Sequence, residues 1–376
     1  MQVELRPEQF HKQSFSGNLL RKLHIDIPLL IALFILLILS FMMLYSSGNQ
    51  EWGLIIRQSS RMGGSCVLMI FLAQLEPRQF QRYSIPFYIL GVCLLIAVLI
   101  IGDVGKGAQR WLNIGFRFQP SEMLKISTPM MVAWYLAGHE IPQKWKHIVT
   151  VLAFIMFPTV LIVRQPDLGT SLLVASSGLS VLYFAGLSWR YLFSAVVGLS
   201  AFTPVYWHYF MRSYQKDRVN TFLNPESDPM GKGYHIIQSK IAIGSGGVSG
   251  KGWQENTQSQ LDFLPESSTD FIFAVFAEEF GLLGCLGLLA VYLFIIARGL
   301  YIAVQAQGTY SRLLAGSLVC TFFIYVFVNI GMVIGILPVV GIPLPLISYG
   351  GTSMVTLFAG FGILMSIHTH KKVLPS

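Results

Sequence analysis

Long apolar runs without Asp, Glu, Lys or Arg divide this chain into segments of membrane-spanning length. A helix needs ~20 residues to cross ~30 Å of hydrocarbon, at ~1.5 Å per residue. Four uncharged runs contain enough residues for this: Ile27–Gln50, Tyr83–Gly102, Leu168–Trp189 and Tyr191–Met211. A fifth run, Leu313–Ile367, is long enough for two helices and is broken by the glycine and prolines of Gly341–Pro345.

Shorter or partly charged stretches, such as His147–Val163, complete the pattern. It predicts an all-α polytopic integral membrane protein with one transmembrane domain over residues 1–376. A long extracytoplasmic loop is expected at about 211–269, between helices 7 and 8. The ten predicted spans lie at about 27–45, 58–75, 83–102, 121–138, 147–163, 168–186, 190–209, 271–297, 313–336 and 346–367.

Composition supports this prediction and excludes other classes of protein. The 376 residues are 53% hydrophobic and only 12% charged, about half the charged share of an ordinary soluble domain. So little charge does not cover a water-facing surface, which excludes a soluble enzyme and a disordered protein. The four cysteines lie inside apolar runs without CxxC spacing, so we expect neither a disulfide scaffold nor a metal site from them.

Charged residues are distributed unequally between the two sides that ten spans define. Thirteen lysines and arginines fall on the side that holds both termini, and six fall in the short segments of the other side. The positive-inside rule therefore predicts that both termini are cytoplasmic. This orientation accounts for the net charge of +8, and no nucleic-acid partner is expected. Most carboxylates fall on the outer side, which predicts a polar site on that face.

Arg110, Glu122 and Lys125 form the first candidate site on the outer side. Glu122 and Lys125 are three residues apart on a predicted helix, so they share a face and are able to pair. One interpretation is a structural ion pair that ties two helices together. The other is an anion site, in which Lys125 and Arg110 bind the ligand and Glu122 holds Lys125 in place.

Two further outer segments allow both a structural and a functional interpretation. Asp167 precedes an apolar run, where it is expected to cap a helix, although the same position is able to face an outer cavity. The glycine-rich run Gly244–Gly252 lacks the spacing of a P-loop. Its amides are able to approach phosphate, with Lys240 and Lys251 supplying charge, or the run is a flexible loop. The apolar stretch Tyr234–Ile243 suggests an interfacial helix.

Asp270 lies where a polar loop becomes a long apolar helix. A carboxylate there is reachable and also partly removed from water by Phe271 and Phe273, which suits a general base. A plain helix N-cap fits the same local sequence, with Thr269 as a near alternative. Glu278 lies eight residues later, ~12 Å along a helix axis, which is too far to form a glycosidase-like carboxylate pair with Asp270.

The last apolar block is interrupted by three prolines and repeated glycines within Pro338–Gly351. Non-helical backbone at membrane depth is tolerated only inside protein or beside a wet cavity, so this loop, with Ser348, is expected to wall the site. The histidines suggest no metal site. His368 and His370 are expected in the cytoplasm, and we expect three others to stand alone: His24, His208 and His235.

Together these segments resemble the SEDS (shape, elongation, division and sporulation) family. The resemblance covers nearly the whole chain in order, with the same ten-helix plan and long outer loop. It rests on the following residues: Lys106–Trp111, Gln119–Lys125, Gln165–Thr170, Arg218-Val219, Gly233–Gly252, Gln258–Asp270 and Gly341–Gly351.

The resemblance implies a peptidoglycan glycosyltransferase that polymerises lipid II on the periplasmic face of the bacterial cytoplasmic (inner) membrane. It also implies a class B penicillin-binding transpeptidase as partner, together with other proteins of the cell-elongation machinery. No cofactor is implied beyond the option of a divalent cation such as Mg²⁺ acting as a Lewis acid, for which the sequence fixes no ligands. A lipid II flippase and a non-catalytic scaffold for the transpeptidase are the alternatives.

Asp270 matches the family's essential aspartate and is expected to deprotonate the acceptor hydroxyl. Many members have His where this chain has Ser268, which favours a base that acts without a histidine relay. The following residues match charged positions around the family's outer cavity: Arg57, Arg110, Glu122, Lys125, Asp167 and Arg218. Of these, Arg110, Lys125 and Arg218 are expected to bind the pyrophosphate. Lys240, Lys251 and Ser348 complete the expected substrate site.

Overall fold

The computed structural model describes residues 23–48, 51–105, 108–113, 115, 117–140, 144–211, 213–227, 232–255 and 266–370. This part of the chain is mainly helical. Its helices are α1 (Ile27–Ser47), α2 (Trp52–Gln74), α3 (Pro77–Ile101), α4 (Pro120–Ala137), α5 (Trp145–Arg164), α6 (Leu168–Phe184), α7 (Trp189–Val205), α8 (Ser213–Leu223), α9 (Lys232–Gly246), α10 (Ile272–Val304), α11 (Thr309–Ile334) and α12 (Thr352–Thr369). A π-helical turn, Tyr206–Phe210, follows α7, and a 3-10 turn, Pro225–Ser227, follows α8.

Local sequence signals begin several of these helices. Asp26 caps α1, because its carboxylate accepts a hydrogen bond from the Leu29 amide at 3.0 Å. The same carboxylate pairs with Arg298 at 2.6 Å, which ties the start of α1 to α10. Pro77 and Pro120 occupy the first turns of α3 and α4, where a missing N–H has no cost.

Six helices of the described chain are long and apolar enough to cross a membrane: α1, α3, α5, α10, α11 and α12. Helix α6 is apolar but shorter. A helix overlaps each of the predicted spans, so the mainly helical membrane fold is confirmed. That all ten segments cross the membrane stays a prediction.

Several helices differ from their predicted boundaries: α3 begins at Pro77 instead of 83, and α10 ends at Val304 instead of 297. Helix α8 and a small sheet were not predicted. Helix α2 begins at Trp52 instead of 58, so Arg57 and Arg61 lie on the helix. Helix α12 begins at Thr352 instead of 346, because the proline-containing residues before it are not helical. A small antiparallel sheet packs against α3 and α4 and carries Arg110 on its central strand. Its strands are β1 (Asp103–Gly105), β2 (Ala108–Asn113) and β3 (Arg117–Phe118).

Helix α11 lies at the centre of the bundle. In the most apolar 18-residue window of each helix, 67% of α11 is buried but only 28% of α5. Helix α11 contacts α4, α6, α9, α10 and α12. Large apolar side chains such as Phe34, Phe71 and Ile100 are exposed on the perimeter. In a membrane they contact lipid, which removes the unfavourable free energy that they would have in water.

Helix α10 is broken at Gly281, whose φ of 63° and ψ of −162° are not helical. The break leaves backbone groups on both sides without partners inside the helix. The turn that follows α9 supplies those partners. The amides of Lys251 and Gly252 donate to the carbonyls of residues 278 and 279, each at 3.0 Å. The amides of residues 282 and 283 donate to the carbonyls of Gly247 and Val248 at 3.0 and 3.1 Å.

This contact corrects the expectation for the glycine-rich run. The amides of residues 250–252 donate to carbonyls of the protein, so they do not face phosphate. A Cβ at Gly246 would lie 2.1 Å from the Ala277 carbonyl oxygen, and one at Gly250 would lie 2.1 Å from that of Glu279. These glycines therefore allow two backbones to meet. Lys251 reinforces the contact, since its ammonium pairs with the fully buried Glu278 at 2.6 Å.

Gly281→Ala is expected to destabilise the protein, because its conformation is essentially restricted to glycine and such strain costs ~1–3 kcal/mol. Its Cβ would also lie 2.3 Å from the Gly250 nitrogen. Thermal unfolding of the purified protein in detergent measures the effect. The matched control is Gly287→Ala in the same helix, because nothing lies within 4 Å of that Cβ position. Equal melting temperatures for the two variants would contradict this role of the break.

Candidate active site

Asp270 lies in a turn immediately before α10. The turn is closed by the amides of Thr269 and Phe271, which both donate to the Glu266 carbonyl. Asp270 is partly exposed, whereas Phe271, the N-cap residue of α10, is 4% exposed and precedes a buried stretch of that helix. The carboxylate is therefore at the boundary between a polar turn and the packed bundle, as the sequence predicts.

The loop of residues 338–351, which we call the proline loop, packs directly against this turn. A Cβ added at Gly341 would lie 3.4 Å from the carboxylate oxygen Oδ2 of Asp270. Ser348 Oγ donates to the Thr269 carbonyl at 2.6 Å and accepts from the Leu344 amide at 2.8 Å. The Tyr349 amide donates to the carbonyl of residue 268 at 2.8 Å. Ser348 is 3% exposed, and its hydroxyl joins the backbone of the proline loop to the backbone of the Asp270 turn.

Side chains of α1, α10 and α11 donate hydrogen bonds of 3.0 Å or less to the proline loop. Ser40 of α1 donates to the Ile347 carbonyl at 3.0 Å, and Tyr292 of α10 donates to the Pro345 carbonyl at 2.8 Å. Asn329 of α11 donates to the Ile342 carbonyl at 2.7 Å and to the Asp270 carbonyl at 3.0 Å. These donors were not predicted, because a lone Ser, Tyr or Asn on an apolar helix carries no signal of its partner.

The other side of the proline loop meets the start of α6. A Cβ at Gly169 would lie 3.3 Å from the Val340 carbonyl oxygen and 3.0 Å from Ile342 Cγ1. Residues 340–342 of the loop therefore contact both Asp270 and the first turn of α6. Asp167 and the residues around it are brought to the same end of the bundle as Asp270.

Asp167 caps α6 and also pairs with Arg110. Its carboxylate accepts from the Thr170 amide at 3.2 Å and from Gln119 Nε2 at 3.1 Å. Arg110 Nε lies 3.6 Å from Asp167 Oδ2, and Arg110 Nη2 donates to the Pro166 carbonyl at 2.6 Å. The Arg110 side chain is 31% exposed, so it is held in place and still accessible to an anion.

Glu122 and Lys125 form the predicted ion pair, and the pair is buried. Lys125 Nζ lies 2.6 Å from Glu122 Oε1, and it also hydrogen-bonds the Tyr325 hydroxyl of α11. The side chains of Lys125 and Glu122 are 3% and 9% exposed. The pair joins α4 to the central helix, which agrees with the structural interpretation. The Lys125 ammonium is buried and already contacts Glu122 and Tyr325. Arg110, whose side chain is 31% exposed, is therefore better placed than Lys125 to contact a phosphate.

The remaining predicted cations lie in different surroundings. Arg57 is exposed on α2. Lys240 is exposed on α9 and lies against Gly335 at the C-terminus of α11, where a cation is favourable. Lys251 pairs with Glu278, as described above. The side chain of Arg218, on α8, lies outside the part that the structure describes.

Arg61 is a further cation beside the proline loop, and it was not among the predicted site residues. Its guanidinium lies 5.0 Å from the centre of the Tyr349 ring and 3.5 Å from the Cβ position of Gly351. Both contacts belong to the end of the proline loop. The spacing from Arg57 to Arg61, one helical turn on the same face of α2, is the signal that would have indicated it.

A metal site finds no support in the described residues, where no group of three or more His, Cys, Asp or Glu lies together. The expectation that His24 stands alone is wrong. Its ring stacks on His370 with centroids 3.9 Å apart, and burial together with the charge of His370 lowers the pKa of His24. His235 stacks on Phe271 at 5.8 Å, next to the Asp270 turn.

Comparison with known proteins places this arrangement in a wider group. The FtsW/RodA/SpoVE family, described as "cell cycle protein", matches residues 21–373. The peptidoglycan glycosyltransferase MrdB of Escherichia coli K12 is 53% identical over 354 residues. That alignment covers 94% of this chain and 96% of the relative.

Two solved structures share the fold. A chain of a peptidoglycan synthase complex, solved to describe the structural coordination of polymerization and crosslinking, superposes with a TM-score of 0.79 at 32% identity. It covers 91% of this chain and 97% of that chain. The rod shape-determining protein RodA of Thermus thermophilus superposes with a TM-score of 0.70 at 28% identity, covering 92% of this chain and 98% of that one.

Lys125→Ala is expected to destabilise the protein by ~3–5 kcal/mol, because it leaves the Glu122 carboxylate buried without its cation. The double variant Glu122→Gln/Lys125→Met removes both charges and should recover most of the loss. Thermal unfolding in detergent, compared across the three proteins, measures this. A double variant that melts as low as Lys125→Ala would show that the unpaired charge is not the cause.

Proposed function

This chain belongs to the FtsW/RodA/SpoVE family of cell cycle proteins, and on that premise we propose that it is a peptidoglycan glycosyltransferase that polymerises lipid II. The similarity to a relative named for that activity extends over nearly all of both chains, which supports the same chemistry here. The protein is a multi-pass protein of the bacterial inner membrane. Both termini are cytoplasmic and the active site faces the periplasm, an orientation that the distribution of Lys and Arg supports.

One observation carries the proposal more than any other. The partly exposed Asp270 carboxylate and the partly exposed Arg110 guanidinium lie at the same end of the bundle, since the proline loop contacts both Asp270 and the start of α6, where Asp167 pairs with Arg110. Lipid II presents a sugar linked through pyrophosphate to a polyprenyl tail. Its polymerisation needs a base for the acceptor hydroxyl and cations for the leaving pyrophosphate.

The reaction assigns one task to each of these groups. Asp270 takes the proton of the acceptor 4-hydroxyl as its oxygen attacks the anomeric carbon of the donor sugar. The bond from that carbon to the pyrophosphate oxygen breaks, and the polyprenyl pyrophosphate leaves with the electron pair. Arg110 neutralises the charge that develops on the leaving group, so no second carboxylate is needed as an acid.

The other candidate residues take supporting roles in the proposal. Arg57 and Arg218 attract the anionic substrate, as does the exposed Lys240. Asp167 orients Arg110 through their ion pair. Glu122, Lys125, Lys251 and Ser348 act through the protein, because their described polar contacts are to Tyr325, to Glu278 or to backbone.

A partner for cross-linking follows from the same chemistry. New glycan strands must be joined through their peptides, and the similar chain of known structure belongs to a complex that coordinates polymerization and crosslinking. We therefore propose a class B penicillin-binding transpeptidase as the partner, within the complex that elongates the cell. The wild-type protein should polymerise lipid II itself, which distinguishes a catalyst from a scaffold.

Asp270→Asn is expected to abolish glycan synthesis while substrate binding persists, because the amide keeps the shape of the carboxylate and is not a base. Polymerisation of labelled lipid II by reconstituted protein, with and without the partner, measures this. Glu266→Gln, the same chemical change at an exposed position of the same turn, is the control and should stay active. Undiminished synthesis by Asp270→Asn would refute the base, and lipid II transport without polymer would favour a flippase.

Arg110→Ala is expected to lower turnover by ~10²–10³-fold if the guanidinium stabilises the leaving pyrophosphate, as for other preorganised electrostatic contacts. Arg110→Lys should retain part of the activity, since it keeps the charge but loses the planar fork. Steady-state polymerisation rates measure both. A higher KM with an unchanged kcat would instead show that Arg110 binds the substrate equally well before and during the reaction.

A further inference from the structure

The turn that carries Asp270 is held in place through hydrogen bonds to its backbone carbonyls. Three successive carbonyls each accept a hydrogen bond from a different donor outside the turn. The pairs are Tyr349 N to Ser268 O at 2.8 Å, Ser348 Oγ to Thr269 O at 2.6 Å, and Asn329 Nδ2 to Asp270 O at 3.0 Å. We call this set the carbonyl clamp. It leaves the Asp270 peptide little freedom to rotate.

Asn329 differs from the other two donors because it lies on α11 and contacts both segments of the site. Its amide nitrogen donates to the carbonyl of Asp270 and to that of Ile342 in the proline loop. The orientation of the amide is fixed by these acceptors, since a flipped amide would direct its oxygen at two carbonyl oxygens. One side chain of the central helix therefore sets the turn and the loop relative to each other.

Burial makes these two hydrogen bonds consequential. Asn329 has no exposed surface, and removing its nitrogen would leave two carbonyls without this donor in a water-poor region. Gly341, the neighbour of Ile342, lies beside the Asp270 carboxylate: a Cβ added there would be 3.4 Å from Asp270 Oδ2. A shift of the loop against the turn would therefore change the space into which the carboxylate is directed.

We propose that Asn329 is a positioning residue for the glycosyl transfer. Its side-chain amide fixes the Asp270 peptide against the proline loop and thereby fixes the direction from which the carboxylate meets the acceptor hydroxyl. Asn329 itself does not touch the substrate. The inference rests on the proposed function, because it requires Asp270 to be the base.

Asn329→Leu tests this role, since leucine has a similar size and no donor. Turnover per folded molecule is expected to fall by ~100-fold, as for displacements of ~1 Å at a reacting group, while KM for lipid II stays near the wild-type value. The acidic limb of the pH profile of kcat should also move, because the carboxylate no longer occupies one environment. Asn329→Ser retains one donor and should fall by only about tenfold.

Ser317→Ala is the matched control. Ser317 lies on the same helix, is equally buried, and donates to the Ser177 carbonyl of α6 at 2.6 Å, away from the turn. Its loss should lower the melting temperature without changing kcat or the pH profile. A change in stability alone therefore does not produce the expected signature of Asn329.

The outcomes separate this inference from the proposed function. Wild-type kcat and pH profile in the folded Asn329 variants, with only a lower melting temperature, would overturn the positioning role. So would a failure of both Asn329 variants to accumulate while Ser317→Ala accumulates, since Asn329 would then serve the fold. If Asp270→Asn, assayed in parallel, keeps full activity, the base assignment fails first. If it is inactive while Asn329→Leu turns over normally, only the positioning role fails.

Discussion

Backbone amides and carbonyls inside a membrane must find partners within the protein, and this constraint governs the end of the bundle that holds Asp270. Two interruptions of regular helix occur there, the break at Gly281 and the proline loop. At the Gly281 break, the turn after α9 supplies partners for the backbone groups through four backbone hydrogen bonds. In the proline loop, the backbone carbonyls accept hydrogen bonds from side chains of α1, α10 and α11, and Ser348 of the loop donates to the turn before α10.

The hydrogen bonds that satisfy the proline loop also fix the geometry of the candidate site. Catalytic groups act best when their supporting contacts are formed before the substrate arrives. Here the Asp270 turn needs the loop for its carbonyls, and the loop needs Asn329 and Ser348 for its own polar groups. Stability and orientation therefore depend on the same contacts. The charges divide in a similar way, because Lys125 is buried in an ion pair whereas Arg110 is held and accessible.

The sequence predicted most of the helices, the Glu122–Lys125 pair, the Asp167 cap and the position of Asp270 at a helix mouth. Each of these depends on spacing within one short segment, which the chain records directly. The small sheet that carries Arg110, the break at Gly281 and the donors Ser40, Tyr292 and Asn329 were not predicted. A polar residue on an apolar helix does not reveal its partner when that partner is 13 or 59 residues away, as for Asn329.

The sequence by itself determined that this is a helical membrane protein and predicted its acidic and anion-binding candidates on one face, because hydrophobic length and local charge are properties of single segments. The tertiary structure decided which candidates are available and which are engaged. It turned the glycine-rich run into a packing contact, buried Lys125 and left Arg110 accessible. The reason is physical: burial and hydrogen bonding depend on which distant segment lies opposite, and only the folded chain fixes that.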